Sequence, residues 1–381
     1  MGTAVDIFDP KAYAKVRLPA MEAETLPAWC YTSQDFYDRE VDRIFMKVWN
    51  FIGRADRIPN AGDYFTLEFV GVPIIVVRDA MGELRAYSNS CRHRGTLLVE
   101  GEGTCKAFKC PYHSWVYSLE GRLLSAPEMH LTQNFDPSQY GLVPIRLETW
   151  DGFLFVNFDP DSNSLKDYLG DLPVKLDSYD FSQMVCVRRK EYELPCNWKV
   201  YVENAMEALH VPTVHRRTIQ KQKREINPPE RPDGEYVILY TKHEGSRALL
   251  EGDTGFPRIE TLVGRPAEGS YYPLLYPSTM FGCTIDCMWY LELRPQGPTR
   301  TTLIVGSCFP KKTAERPDFK EVVTRYYKRW DLSIPEDNAI SELQQRGLQS
   351  PWGAPGRFSH LEPLVHTIGN WVLDHVVGPP V

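Results

Sequence analysis

The sequence predicts an α+β protein in which a small antiparallel β domain precedes a larger domain of strands and helices. Its 381 residues are about two and a half times the length expected of one domain, so we expect two domains. Apolar residues alternate with polar ones in the first part of the chain, which is typical of half-buried strands. Further on, segments with helical spacing of apolar residues are mixed with strand-like aromatic segments.

The elements of the first domain follow from changes in this period. Residues 32–49 carry apolar side chains at helical spacing and form a predicted helix, with Thr32 and Asp35 as a capping pair. From Asp63 the period becomes two, which predicts strands separated by turns at glycine. The predicted strands cover residues 63–69, 74–77, 84–87 and 152–158.

These elements divide the chain into three segments. We predict a proline-spaced N-terminal arm over residues 1–40, the β domain over residues 41–160 and the second domain over residues 161–381. The turn-rich sequence DPDSNS, which begins at Asp159, supports the second boundary.

In the second domain, two helices are predicted from their ends. A helix that starts at Asn197 must end near His210, because Pro212 disfavours helical geometry in the residue before it. A last helix is predicted to begin at Ser333, which would place Pro335 in its first turn. The other predicted elements are a helix over 165–180, a strand over 185–194, a surface loop over 216–234 and strands over 236–310.

Composition and charge exclude several classes of protein. The 43 basic and 50 acidic residues give a net charge of −7, which disfavours a nucleic-acid partner. The longest apolar run, Val70–Val77, is far shorter than the ~20 residues that cross a bilayer. The N-terminus lacks the basic segment followed by an apolar segment that marks a signal peptide, so we expect a cytoplasmic protein with no membrane attachment. The nine cysteines are scattered along the chain, and we expect them to form no disulfide framework.

Two short motifs each pair one cysteine with one histidine. Cys91-Arg-His93 is followed, after sixteen residues, by Cys110-Pro-Tyr-His113. A structural zinc ion is one alternative, but zinc fingers place both cysteines in one pair and both histidines in the other. A mixed order favours a Rieske [2Fe–2S] cluster, in which two cysteines bind one iron and two histidines the other. Cys105 lies between the motifs without a matching histidine and is interpreted as a bystander.

A second candidate metal site lies in the second domain. Glu207 and His210 are three residues apart, and Pro212 would let His215 turn back towards His210. Two imidazoles and one carboxylate form the facial triad of non-haem Fe(II) oxygenases. The carboxylate is either Glu207 or Asp337, which the dipole of the predicted Ser333 helix would favour.

The remaining histidines and two close cysteines are interpreted as structural. One further group could be taken for a metal cluster, but it precedes an amphipathic C-terminal segment. The side chains interpreted in this way are His360, Glu362 and His366 of that group, His130, His243 and His375, and Cys283 with Cys287.

Beyond these motifs, the chain resembles the α subunits of Rieske-type non-haem iron oxygenases over nearly its whole length. The resemblance is strongest at the two Cys-His motifs, which stand as NSCRHRG from Asn89 and CPYHSW from Cys110. It continues in FMKVW from Phe45, AGDY from Ala61, NWK from Asn197, ENAMEALH from Glu203, His215, and Glu336-Asp337 with Glu342 and Gln345.

The resemblance implies a Rieske β-sandwich domain and a helix-grip catalytic domain, and it assigns a role to each candidate residue. It implies that Cys91 and Cys110 bind one cluster iron and that His93 and His113 bind the other. The mononuclear iron is then held by His210, His215 and Asp337. Glu207 matches the carboxylate that links a cluster histidine of one subunit to an iron-ligand histidine of the next, in a homotrimer or a multiple of it.

The resemblance also implies a terminal oxygenase that activates O₂ with electrons from the cluster and oxidises a small organic substrate. A glutamate at the bridging position is seen in members similar to carnitine and glycine-betaine oxygenases, which favours monooxygenation by oxidative N-dealkylation. Aromatic ring hydroxylation or dioxygenation and O-demethylation are the alternatives. A non-catalytic electron carrier and a zinc-stabilised binding protein are the alternatives from other classes.

The electrons must come from a partner. The chain lacks the Gly-x-Gly-x-x-Gly fingerprint of a nicotinamide site, so we expect a separate NAD(P)H reductase, with or without a ferredoxin. Residues 216–224 hold five positive charges, and residues 188–190 add three. These segments are either solvated surface or a docking patch for an acidic electron donor.

Overall fold

The computed structural model describes residues 6–219, 225–226, 230 and 232–379. The chain divides into two compact units, Lys47–Leu165 and a larger unit that joins Met1–Met46 to Lys166–Val381. Inside the larger unit, the Tyr31 hydroxyl donates to the Glu203 carboxylate at 2.7 Å, and both side chains are buried.

Every residue of the smaller unit is described, and its strands form antiparallel sheets. The strands are β1 (Asn50–Arg54), β2 (Asp63–Phe69), β3 (Val72–Arg78), β4 (Leu84–Ser88), β5 (Glu102–Thr104), β6 (Phe108–Lys109), β7 (Val116–Tyr117), β8 (Leu123–Ser125), β9 (Pro144–Trp150) and β10 (Phe153–Asn157). One sheet has the order β1-β10-β9-β4-β3-β2-β5, and the other has the order β6-β7-β8. Phe65 and Leu67 are buried on alternate positions of β2, and Gly71 turns the chain at φ +82°, as the sequence predicts.

The larger unit combines helices with a second antiparallel sheet. Its strands are β11 (Met184–Leu194), β12 (Glu225–Ile226), β13 (Tyr236–Lys242), β14 (Gly269–Leu275), β15 (Thr279–Cys283), β16 (Met288–Gly297) and β17 (Arg300–Pro310). In the described residues their order is β11-β17-β16-β15-β14-β13-β12. The predicted α+β class, with a β domain and an antiparallel sheet with helices, is confirmed.

The helices lie before, between and after these strands. They are α1 (Trp29–Thr32), α2 (Gln34–Glu40), α3 (Leu165–Leu169), α4 (Leu172–Leu176), α5 (Trp198–Ala205), α6 (Val211–Val214), α7 (Arg265–Glu268), α8 (Lys311–Ala314), α9 (Phe319–Leu348) and α10 (Pro363–Val376). A π-helical turn, Val41–Phe45, continues α2. Among the residues that the structure describes, no helix has the length and apolar character needed to cross a bilayer.

The long helix α9 differs from its prediction. It passes through Ser333 and Pro335 without a break, so Ser333 does not cap it and Asp337 does not lie in a first turn. Proline removes one hydrogen bond from a helix interior, but α9 compensates by burying one face against the sheet. The Trp330 ring on this face lies 5.9 Å from the Trp289 ring of β16. The helix-dipole argument for Asp337 is therefore wrong.

Helix α5 is shorter than predicted. Asn197 caps it as expected, since its side chain accepts from the Lys199 backbone N–H at 3.0 Å. The helix ends at Ala205 rather than near His210. Pro212 lies in the first turn of α6, where its missing N–H costs nothing, so it begins a helix instead of ending one.

Two other predicted helices are divided. In the segment predicted over residues 32–49, Ser33 rather than Thr32 caps α2, because its extended backbone lets its hydroxyl accept from the Phe36 N–H at 3.3 Å. In the segment predicted over 165–180, Gly170 has φ +56° and separates α3 from α4.

Candidate metal centres

Two loops of the smaller unit carry the Cys-His motifs. The first follows β4, and the second joins β6 to β7. Each turns tightly: the Gly95 N–H donates to the Cys91 carbonyl at 2.9 Å, and the Ser114 N–H donates to the Cys110 carbonyl at 3.1 Å. Gly95 has φ +78°, a conformation that glycine adopts without a steric penalty.

The loops bring the four predicted side chains into one neighbourhood. The ring centroids of His93 and His113 are 4.7 Å apart. Cys91 and Cys110 are buried in one apolar cluster, and neither forms a disulfide. The Tyr117 hydroxyl lies 3.3 Å from Cys91 Sγ. The pKa of this tyrosine is raised, mainly because it is buried and also because of the nearby cysteine thiols.

Two buried nitrogen atoms test whether a cluster fits these residues. His93 Nδ1 and His113 Nδ1 are buried and have no hydrogen-bond partner in the described part of the chain. Buried ring nitrogens are normally paired, and a metal ion is a suitable partner for them. Trp115 stacks on the His93 ring at 4.9 Å between centroids and 7° between planes, which holds that ring in place. Two thiols and two unpaired imidazole nitrogens are the donor set of a Rieske cluster.

A second set of donors meets in the larger unit. His210 Nε2 lies 3.6 Å from Asp337 Oδ1, and His215 Nε2 lies 2.9 Å from the same oxygen. In the part of the chain that the structure describes, these three residues form the one group of acidic, histidine or cysteine side chains whose ligand atoms all lie within 4.8 Å of one another. Their burial and charge suit a divalent metal ion with open coordination positions.

The opposite edge of each imidazole contacts a second carboxylate. His210 Nδ1 is hydrogen-bonded to Glu207 Oε1, and His215 Nδ1 lies 2.7 Å from Glu336 Oε2. A carboxylate at Nδ1 fixes the tautomer in which Nδ1 carries the proton, so the Nε2 lone pairs face Asp337. Burial lowers the pKa of His215, but the carboxylates of Asp337 and Glu336 outweigh it and raise the pKa overall.

This geometry distinguishes the two carboxylates that the sequence leaves open. Asp337 contacts both imidazoles at their metal-facing atoms, whereas Glu207 lies behind His210. Glu207 is also not on a helix with His210, because α5 has already ended. The Glu207 carboxylate instead accepts hydrogen bonds from the backbone N–H groups of Leu209 and His210, the latter at 3.1 Å. These bonds stabilise the turn between α5 and α6.

Sequence reasoning missed three supporting side chains. Glu336, which stands in the sequence analysis only as part of the family-like segment Glu336-Asp337, accepts a hydrogen bond from the Thr218 hydroxyl at 2.7 Å. Asn204 Nδ2 donates to Asp337 Oδ1 at 3.0 Å. The one available signal was chemical, since a ligating histidine usually pairs its other nitrogen with an acceptor.

Three of the other histidines, His243, His366 and His375, have partners that fit a structural role. His366 Nε2 lies 3.0 Å from the Leu18 carbonyl, and Glu362 accepts from the Ser359 N–H at 2.7 Å. Within the described ranges, these residues do not join His360 in a metal-binding group. His243 Nε2 lies 2.8 Å from Ser270 Oγ, and His375 Nδ1 lies 2.9 Å from the Trp371 carbonyl oxygen.

Comparisons with protein families agree with this division of sites. A Rieske [2Fe-2S] domain matches residues 48–136, and the ring hydroxylating alpha subunit (catalytic domain) matches residues 181–378, more than half of the chain. The chain belongs to this family of Rieske oxygenases. The family carries a [2Fe–2S] cluster and a mononuclear iron and uses O₂ as oxidant, so the predicted enzyme class and cofactors are confirmed, and the carrier and zinc alternatives are excluded.

Known relatives of this Rieske oxygenase act as monooxygenases. The chain is 38% identical over 336 residues to the carnitine monooxygenase oxygenase subunit of Escherichia coli, covering 86% of this chain and 85% of that protein. It is 28% identical over 372 residues to the chloroplastic choline monooxygenase of Beta vulgaris, covering 96% and 78%.

Solved structures share the fold. A quaternary ammonium Rieske monooxygenase has a TM-score of 0.80 at 24% identity, covering 94% of this chain and 97% of that chain. Naphthalene 1,2-dioxygenase from Rhodococcus sp. has a TM-score of 0.76 at 21% identity, covering 94% and 95%. Both matches support the Rieske oxygenase fold predicted from the sequence.

Proposed function

We propose that this chain is the oxygenase subunit of a monooxygenase that dealkylates a quaternary ammonium substrate. The observation that carries the proposal is the pair of imidazoles facing Asp337, with Glu207 behind one of them, in a chain whose relatives include carnitine and choline monooxygenases. Ring hydroxylation, the alternative, is supported by the name of the matching catalytic-domain family and by the fold shared with naphthalene 1,2-dioxygenase, but by neither of the relatives named above.

The proposed reaction inserts one oxygen atom of O₂ into a C–H bond next to the substrate nitrogen. The other oxygen atom leaves as water. The two electrons needed for this come from NAD(P)H through a separate reductase, with or without a ferredoxin, and the two protons come from NAD(P)H and from solvent. The hydroxylated carbon then separates from nitrogen, releasing an aldehyde, a tertiary amine and a proton. Bound iron supplies the O₂ chemistry, and the protein positions the substrate and excludes water.

We assign the site residues as follows. Cys91, Cys110, His93 and His113 hold the Rieske cluster, and His210, His215 and Asp337 hold the mononuclear iron. Glu207 fixes the His210 tautomer and serves as the electron bridge between subunits of a homotrimer. A solved structure of similar fold is described as revealing inter-subunit electron transfer in its own protein.

The docking surface for the electron donor stays a prediction. Arg188 and Lys190 both pair with the Asp331 carboxylate, at 2.7 Å and 2.9 Å, so part of their charge is already neutralised. Arg216 and Arg217 are exposed, whereas residues 220–224 of the basic segment lie outside the described residues. The cytoplasmic location and the predicted domain limits at residues 40 and 160 also stay predictions.

Two measurements test the proposed function. Metal analysis of the purified chain should find about three irons per chain with a brown colour, as one [2Fe–2S] cluster and one mononuclear iron require. With a reductase, NADH and a trimethylammonium compound, the enzyme should release formaldehyde in step with NADH oxidation. Hydroxylated arenes with no oxidation of any alkylammonium compound would instead establish the ring-hydroxylating alternative.

A further inference from the structure

Two cysteines of the larger unit face each other across neighbouring strands. Cys186, near the start of β11, and Cys308, near the end of β17, are directly opposed in the antiparallel pairing of these strands. Cys186 is half-buried, Cys308 is buried, and neither forms a disulfide. Opposed residues of an antiparallel pair carry their side chains on the same face of the sheet. The two thiols are therefore neighbours, and they belong to neither candidate metal centre.

A tyrosine of the next strand lies beside both thiols. The Tyr290 hydroxyl is 3.7 Å from Cys186 Sγ. Burial raises the pKa of Tyr290, and the charges of Cys186 and Cys308 add to this shift, so both sulfur atoms lie near the hydroxyl. Tyr290 reaches across β17 because Gly306 is opposite it, where a larger side chain would collide with the ring. The strand register and the tyrosine thus place the two thiols together by separate observations.

The strand geometry fits a disulfide bond that is easily reduced. Opposed residues on antiparallel strands have Cα atoms about 4.5 or 5.5 Å apart, and disulfides join Cα atoms about 4.4 to 6.8 Å apart. Their Cβ atoms lie about 4.5 to 5.5 Å apart, whereas a relaxed disulfide brings them to about 3.8 Å. The bond would therefore form under strain, and strained disulfides are the more reducible ones. A bulge between Cys186 and Arg188 lets β11 adjust as the bond forms.

We propose that Cys186 and Cys308 form a reversible cross-strand disulfide when the enzyme meets a peroxide. Cys186 reacts first because it is the more exposed of the two. Its thiolate attacks one oxygen of hydrogen peroxide, the O–O bond breaks, and the other oxygen leaves as water, which gives a sulfenic acid. The Cys308 sulfur then attacks the Cys186 sulfur and displaces a second water. Two thiols and one hydrogen peroxide are converted into one disulfide and two waters.

The oxidant is one that an oxygenase itself can release. When O₂ takes up two electrons and two protons without oxidising the substrate, it leaves as hydrogen peroxide. In the described part of the chain, β11 is an outer strand of its sheet, so Cys186 lies at the edge of the sheet rather than in its middle. Peroxide in solution therefore reaches Cys186, whereas the buried Cys308 is oxidised only through Cys186.

The test compares two oxidants on four proteins. The iron-loaded enzyme receives stepwise additions of hydrogen peroxide or of diamide, which oxidises thiols without transferring oxygen to iron. The remaining thiols are then alkylated in denaturant, and disulfide-linked peptides are identified by mass spectrometry before and after reduction with dithiothreitol. Cluster absorbance confirms that the oxidised protein stays folded.

The proteins are wild type, Cys186→Ser, Cys308→Ser and a matched control, Cys105→Ser. Cys105 is half-buried like Cys186, but it lies outside the strands and has no cysteine opposite it in a strand pair. It therefore shares the exposure of Cys186 without the proposed partner.

We expect wild type and Cys105→Ser to lose two thiols together with either oxidant, with Cys186 linked to Cys308, and to regain both thiols on reduction. In Cys308→Ser no bond can form, and dimedone should trap the sulfenic acid at Cys186. Cys186→Ser should keep the Cys308 thiol, and this variant carries the test if Cys308→Ser does not fold.

Three results overturn the inference. The first is oxidation of Cys105 or of another cysteine before Cys186. The second is conversion of Cys186 to a sulfinic acid while Cys308 keeps its thiol. The third is a bond that forms with diamide but not with hydrogen peroxide, because the pair then lacks its proposed oxidant. None of these results changes the proposed function, whose test is formaldehyde release by the reduced protein.

Discussion

Replacing Glu207 with glutamine tests its proposed role as an electron bridge. The carboxylate accepts a hydrogen bond from His210 Nδ1 and from two backbone N–H groups. Glutamine keeps one side-chain oxygen, which is enough to accept the Nδ1 proton and hold the His210 tautomer, so we expect the iron to remain bound. The negative charge beside the imidazole is lost, and turnover should fall by about 10- to 100-fold, the range seen for groups that support metal ligands.

The assay separates electron transfer from metal binding. The cluster is reduced first, and its reoxidation is then followed by absorbance after mixing with O₂ and substrate in a single turnover. We expect Glu207→Gln to contain normal iron and to show slow reoxidation of the cluster. Unchanged reoxidation with normal coupled product formation would refute the bridging role.

The chain supplies a matched control on the other imidazole. Glu336 contacts His215 Nδ1 as Glu207 contacts His210 Nδ1, but it lies on α9 next to the proposed ligand Asp337. Glu336→Gln should keep the cluster reoxidation rate within a few-fold of wild type if electrons enter through Glu207 alone. Equal slowing in the two variants would show that both carboxylates only orient their histidines.

Three further predictions concern polar side chains of the larger unit. Burial raises the pKa of Glu203 from 4.5 to about 7, so the stability that its neutral form contributes is present below about pH 4.5 and is lost as the pH rises to about 7. The difference between the melting temperatures at pH 5 and pH 8 should therefore be smaller in Glu203→Gln than in wild type, and an unchanged difference would contradict this. Lys199 Nζ and Glu40 form a buried ion pair at 2.6 Å, so Lys199→Met should lower the free energy of unfolding by about 3–5 kcal/mol in urea titrations, and adding Glu40→Gln should recover part of the loss. A single variant with the wild-type free energy of unfolding would show that the pair does not stabilise the fold. Asn204→Ala removes the 3.0 Å hydrogen bond to Asp337 and should weaken iron binding about 10- to 100-fold by competition with a chelator, whereas equal affinity would show that Asp337 needs no such support.

The identity of the two metal centres follows from short spacings in the sequence. Cys91 with His93, and Cys110 with His113, each lie on one tight loop, where the chain itself keeps the paired donors close. The class of reaction follows from these motifs together with the resemblance. The strands of the smaller unit are also local, because the alternation of apolar residues directly determines which face is buried.

Longer separations limit what sequence reasoning predicts. Nothing local to Asp337 distinguishes it from Glu207 as the proposed third donor, because Asp337 joins the histidines only when α9 packs beside α5 and α6. The proline rule also failed twice. Pro212 begins a helix and Pro335 lies inside one, since burial of a helix face can exceed the local cost of a missing hydrogen bond.

The sequence by itself determined the fold class, the two domains and the donor types of both metal sites, because these depend on period, spacing and ligand chemistry. Only the tertiary structure decided which carboxylate faces both imidazoles and which acid supports His215. Each of these depends on side chains that are distant in sequence, and their distances and burial are set by helix packing rather than by local propensity.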